Sequence, residues 1–136
     1  MQESNIIALD IGEKRIGIAI ASVVAGFPTP LITIENNDKV WHKLHDIIGK
    51  NEITSIVVGL PVSLSGNETA QTKYTRLFVD ELSKHFSLPI HFQDESLTSK
   101  KAESELEAKK KSYSKADIDA LAATFILDDF LAERGH

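Results

Sequence analysis

Two hydrophobic periods alternate along this chain, and the changes of period mark its elements. Asn5–Ile11 (NIIALDI) is an apolar run broken only by Asp10 and closed by Gly12, the pattern of a buried strand. Glu13-Lys14 forms a short turn into Arg15–Ile20, where Ile16, Ile18 and Ile20 alternate with Gly17 and Ala19, predicting a hairpin. Gly26, Pro28 and Pro30 punctuate a loop before Leu31–Glu35 (LITIE) alternates as a third strand. The period then lengthens. Asp38 can cap a helix whose Val40, Trp41, Leu44, Ile47 and Ile48 share one face. Ser55–Leu60 (SIVVGL) is continuously apolar and lies between helices, as a doubly covered parallel strand does. Asn67 can cap a helix running to about Phe86, and Leu88–Phe92 is a second parallel-strand candidate. Thr98 or Ser99 can cap a third helix through Leu106. Ser114, with Asp117 three residues on, is a capping-box pair opening a last helix to about Glu133.

The predicted order is therefore βββαβαβαα in a single domain spanning residues 1–136, with no repeat or low-complexity tract. Strands joined by short turns form an antiparallel meander, whereas helix-linked strands add in parallel with right-handed crossovers. The expected fold is α/β: a mixed five-stranded sheet, three strands antiparallel and then two parallel, with helices on both faces.

Composition narrows the function. With 42% hydrophobic and 26% charged residues in 136, the chain can bury one core and is not a disordered segment. It has no cysteine, so a disulfide scaffold or thiolate metal site is excluded. The longest nearly uncharged run, Ile16–Phe27, is shorter than the ~18–20 residues of a membrane span, and the N-terminus lacks a basic leader. A cytoplasmic protein is expected. The net charge of −5 argues against nucleic acid at first sight, but between Ser96 and Ala116 six lysines stand against three glutamates. An acidic protein with one basic segment can still present a positive face to phosphate.

Three carboxylates stand out. Asp10 interrupts an apolar strand, where an ionised carboxylate is costly unless paired, hydrogen-bonded or metal-bound. Asp94-Glu95 follows a parallel-strand candidate, and ligands of open α/β sheets bind at the carboxyl ends of strands. Asp119 is followed at three, four and seven residues by Ala122, Ala123 and Ile126, so it faces a small, packed, apolar surface and needs a cation partner there. Asp117 is explained by its cap. Separated carboxylates without cysteine suit a hard divalent cation, Mg²⁺ or Mn²⁺. The five histidines read as surface or partly buried residues, and neither a P-loop nor GxSxG nor GxGxxG occurs.

Four segments, ALDIGEKRIGIAIAS, IVVGLPVSLSG, QDESLTSKKAESEL and DIDALAATFILDDFL, occur in the order and spacing of one family. Together they closely resemble YqgF, also called RuvX, over essentially the whole chain. The resemblance implies a ribonuclease H-like fold. It also implies a bacterial cytoplasmic nuclease that matures the 5′ end of the small-subunit ribosomal RNA precursor, a family described earlier as Holliday junction resolvases acting on branched DNA. The family's acidic triad falls on Asp10, Glu95 and Asp119, the catalytic and metal-binding candidates. Such a triad implies Mg²⁺, with ions activating water for in-line attack on a phosphodiester. One position departs: the family's usual Arg after the glutamate is Ser96 here.

Nucleic-acid-binding candidates are Lys14 and Arg15 beside the DIG turn, Ser63 and Ser65 in the GLPVSLSG loop, and Lys100, Lys101, Lys109, Lys110 and Lys111. Each has a plainer reading as a solvated turn charge, a turn leading into a helix, or a solvated face. Two other classes share these features. Actin-like ATPases and sugar kinases open with a similar strand and turn, but they need two such domains and phosphate-binding threonines. A non-catalytic nucleic-acid-binding module would be distinguished by the absence of metal-dependent cleavage.

Overall fold

A computed structural model describes residues 4–63, 65–95 and 114–134. Its sheet is built from β1 (Asn5–Ile11), β2 (Arg15–Ser22), β3 (Thr29–Glu35), β4 (Ile53–Pro61) and β5 (Ile90–Glu95) in the order β3-β2-β1-β4-β5. β1–β2 and β2–β3 are antiparallel, and β1–β4 and β4–β5 are parallel. The expected mixed sheet is present. The helices are α1 (Val40–Lys50), α2 (Ala70–His85) and α3 (Lys115–Glu133). The helix expected over Thr98–Leu106 lies outside the described residues.

The two faces of the sheet are chemically different, and this asymmetry places the site. Ile7, Leu9, Ile16, Ile18, Ile56 and Val58 project to one side and pack with Val40 and Leu44 of α1 and Phe78 and Leu82 of α2. The opposite face is small: Ala8, Ala19, Ala21 and Val57 meet Ala123, Ile126, Leu127 and Phe130 of α3. Small side chains let α3 lie close while it crosses all five strands. At Gly17 the approach is backbone to backbone, since a Cβ there would lie 2.0 Å from the Asp119 carbonyl oxygen. A lone glycine inside a strand often marks such contact.

Several boundaries differ from the sequence expectations. α1 has Lys39 at its N-cap without a side-chain cap, because Asn37 Oδ1 accepts the Lys39 N–H and turns the chain one residue beyond Asp38. α2 is capped by Thr69, not Asn67. Thr69 and Thr72 form a reciprocal capping box, while Asn67 is engaged with Ser63 and Ser65 in the preceding loop. β3 begins at Thr29 and includes Pro30, which an edge strand tolerates. β5 runs from Ile90 to Glu95, three residues past Phe92, because parallel pairing with β4 continues through Leu60–Asp94 and Pro61–Glu95. The Ser114–Asp117 capping box of α3 is formed as expected. No helix among the described residues is long and apolar enough to cross a membrane.

Candidate active site

The chain runs outward from β1 through β2 to β3, then crosses back to place β4 on the other side of β1. The carboxyl ends of β1 and β4 therefore flank a topological switch point, where open α/β sheets bind ligands. A cavity of about 590 Å³ opens there, lined by Asp10, Lys14, Arg15, Pro61, Gln71 and Asp119 together with the Ile11–Glu13 turn.

Asp10 arrives from β1 on the small-residue face, opposite Gly17 of β2. Asp119 arrives from the first turns of α3, pressed against that same glycine. Contact at Gly17 thus brings together two carboxylates 109 positions apart in sequence. The consequence is electrostatic. Burial, and secondarily the negative charge of Asp119, push the Asp10 carboxyl from 3.8 up to about 6. Arg15, at the start of β2 and on the same face, donates its Nε–H to Asp119 Oδ2 at 2.7 Å. The cation partner required by Asp119 on its packed face is therefore a guanidinium of the chain itself.

The turn carrying Lys14 is held from three sides. Gly12 N–H donates to the Arg15 carbonyl at 2.9 Å, and the Asn36 side chain donates to the Gly12 carbonyl at 2.8 Å. Gln71 donates to the Ile11 carbonyl at 3.0 Å. Asn36 and Gln71 were not legible as site residues, because an amide that serves distant backbone leaves no periodic or motif signal. The positional glycine at 17 was the available clue to where α3 docks.

Glu95 ends β5 on the same face of the sheet as Asp10. The alternation places His91, Gln93 and Glu95 toward α3, where His91 meets Phe130 and Gln93 hydrogen-bonds Glu133. Glu95 pairs in register with Pro61, whose ring lines the cavity, but does not itself line it. Two strand spacings, about 10 Å, separate β5 from β1. Asp10 and Asp119 thus converge, with Glu95 at the neighbouring edge of the same sheet end. Among the described residues no group of three His, Cys, Asp or Glu side chains encloses a metal position. Two converging carboxylates still match a cation such as Mg²⁺, which binds through one or two carboxylates and retains water and phosphate ligands.

Ser63 and Ser65 lie in a self-bonded loop after β4: their hydroxyls are 2.9 Å apart, and Ser63 Oγ accepts the Asn67 N–H. Gly66 takes the positive φ of 84° that closes this loop. Neither serine lines the cavity. Lys100, Lys101, Lys109, Lys110 and Lys111 fall outside the described residues. His45 and His85 are exposed and make ring contacts with each other and with Trp41 and Phe86, in keeping with their reading as surface residues.

Comparisons with known proteins give the family and the fold. The model of the RuvX family, described as Holliday junction resolvase, matches residues 4–133. A protein of Sulfurihydrogenibium sp. (strain YO3AOP1) named "Putative pre-16S rRNA nuclease" is 44% identical over 130 residues, covering 94% of this chain and 90% of that one. A Rickettsia canadensis (strain McKiel) protein of the same name is 39% identical over 133 residues, covering 94% and 86%. Among solved structures, RuvC of T. thermophilus in complex with a Holliday junction superposes with a TM-score of 0.58 at 14% identity, covering 97% of this chain and 96% of that one. This last likeness shows the fold: the ribonuclease H-like sheet with its crossing helix. Matched by the family model over nearly all its length and by relatives of similar size, the chain belongs to the RuvX family.

Proposed function

We propose that this protein is a divalent-cation-dependent nuclease that cleaves phosphodiester bonds in the precursor of 16S ribosomal RNA. The observation that carries the reading is the convergence of Asp10 and Asp119 in one open cavity at the sheet's switch point. Neither the core nor any cap requires that pair. Among the described residues the Arg15 guanidinium is bonded to Asp119 alone, so the Asp10 carboxylate beside it stays unfavourable, with its carboxyl raised to about 6. A bound divalent cation supplies Lewis-acid polarisation of the phosphate and a water of lowered pKa. The chain's own residues do the rest. Asp10 and Asp119 present hard oxygen donors from a strand and a helix whose relative position is set at Gly17. Glu95, two strands from Asp10 at the same end of the sheet, is the third carboxylate of the set. Lys14, at the cavity mouth, and the lysines at 100, 101, 109, 110 and 111 attract phosphate without reading bases.

The deciding experiment incubates the protein with precursor ribosomal RNA and with a four-way DNA junction, each with and without Mg²⁺. Cleavage of the RNA alone, only with Mg²⁺, is the expected result. Symmetric cutting of the junction in place of RNA would favour the family's resolvase description, and binding without cleavage of either would favour a non-catalytic module.

A second test separates two neighbouring acids. Asp117 bonds the Ser114 N–H and hydroxyl at 3.1 Å, so Asp117→Asn should cost at most about 1 kcal/mol in a urea titration and leave cleavage intact. Asp119→Asn should abolish cleavage with the helix content unchanged. The opposite ranking would put the reaction on the wrong face of α3.

A further inference from the structure

We infer that Arg15 is a latch on this site: it holds Asp119 while no cation is bound, and divalent-cation loading requires its guanidinium to give up that carboxylate. The inference rests on the metal reading above and adds to it a competitor built into the chain. The two ends of the Arg15–Asp119 pair are anchored differently. Asp119 sits on a fixed base, because its backbone is pressed against Gly17 and the same turn is tied to β3 by the hydrogen bond from Thr33 Oγ1 to the Ala116 carbonyl. Arg15 has a long, flexible side chain, 34% exposed, reaching over the cavity rim. If one partner moves, it is the guanidinium.

Charge requires that move. A cation shared by Asp10 and Asp119 would stand within about two ligand distances of the Arg15 Nε, on the order of 5 Å. The pair is only partly exposed, at 34% and 23%, so solvent screens the repulsion incompletely. Conversely, with no cation, the guanidinium compensates Asp119 beside the partly buried Asp10. The same contact that stabilises the empty site therefore opposes its filling, and the two effects are linked reciprocally. Lys14, also on the cavity wall, and Glu13 at the turn carry the other charges facing the site. Neither forms an ion pair among the described residues, so the competition falls to Arg15.

The test uses Mn²⁺ alone, titrated into the full-length protein and followed by electron paramagnetic resonance of the free ion, for wild type, Arg15→Gln and Asp10→Asn. Arg15→Gln should bind Mn²⁺ about tenfold more tightly than wild type, and Asp10→Asn should bind it much more weakly. In wild type, Mg²⁺ titration followed by NMR should shift the Arg15 Nε–H resonance and speed its exchange with water. Only three arginines are present, which keeps that signal assignable. This second measurement needs no variant to fold. Equal or weaker Mn²⁺ binding by a folded Arg15→Gln, or an Nε–H that stays protected and unshifted at saturating Mg²⁺, would overturn the latch while leaving the metal site standing. Absence of saturable Mn²⁺ binding in wild type would overturn both.

Discussion

Asp10→Asn is expected to raise the melting temperature of the metal-free protein at pH 8 while abolishing cleavage. The folded state holds the Asp10 carboxyl at about 6, against 3.8 for the free group, chiefly through burial. A raised acid pKa means that the folded protein binds this proton more tightly than the unfolded chain. The associated penalty is absent below about pH 3.8, develops as pH rises toward 6, and is complete above it. Its ceiling is about 3 kcal/mol, and Asn carries none of it. For a chain of this size, relief on that scale corresponds to roughly 5–10 °C. Melting curves of both proteins from pH 3.5 to 8 check the prediction: the gap should open between pH 4 and 6 and stay flat above. A gap that widened on acidification would show that burial of this charge is not what limits stability. Added Mg²⁺ should then stabilise wild type by mass action and leave Asp10→Asn nearly unmoved.

The largest loss of stability is expected from Gly17→Ala. The added Cβ would lie 2.0 Å from the Asp119 oxygen, 2.3 Å from its carbonyl carbon and 2.9 Å from Ala120 N, all backbone atoms. Overpacking relieved by side-chain shifts costs about 1–3 kcal/mol, and here the whole N-terminal half of α3 must lift, so at least about 3 kcal/mol is expected. Lifting α3 also withdraws Asp119 from Asp10 and Arg15, so molecules that remain folded should lose cleavage. Gly59→Ala is the matched comparison. Its Cβ would lie 2.4 Å from Ile126 Cδ1, the end of a side chain that can rotate away. It should cost about 1–2 kcal/mol and retain activity. Urea titrations and single-turnover cleavage well below each melting temperature separate the two. Equal costs at both positions would show that the Gly17 contact is not limited by backbone.

How much of this was readable before the fold is clear from particular residues. Asp10 was conspicuous because a charge inside NIIALDI has no local excuse, and Asp119 because its neighbours at helical spacing are small and apolar. The Ser114–Asp117 box named the start of α3 through chemistry confined to four residues. Period and capping are local quantities, so a single chain reports which way a residue faces within its own element. They do not report what another element sets opposite it. The caps of α1 and α2 moved because Asn37 and Asn67 were spent on neighbouring turns. β5 reached Glu95 because pairing with β4, not its own composition, set its end. Above all, the ion pair between Arg15 and Asp119 joins residues 104 apart, and it exists because a glycine strand position admits a helix backbone. Local period and composition already say which residues are costly to bury and on which face of strand or helix each lies. Which of those costs meet in one cavity depends on how closely α3 can approach the sheet, a distance set at Gly17 by packing between elements far apart in the chain.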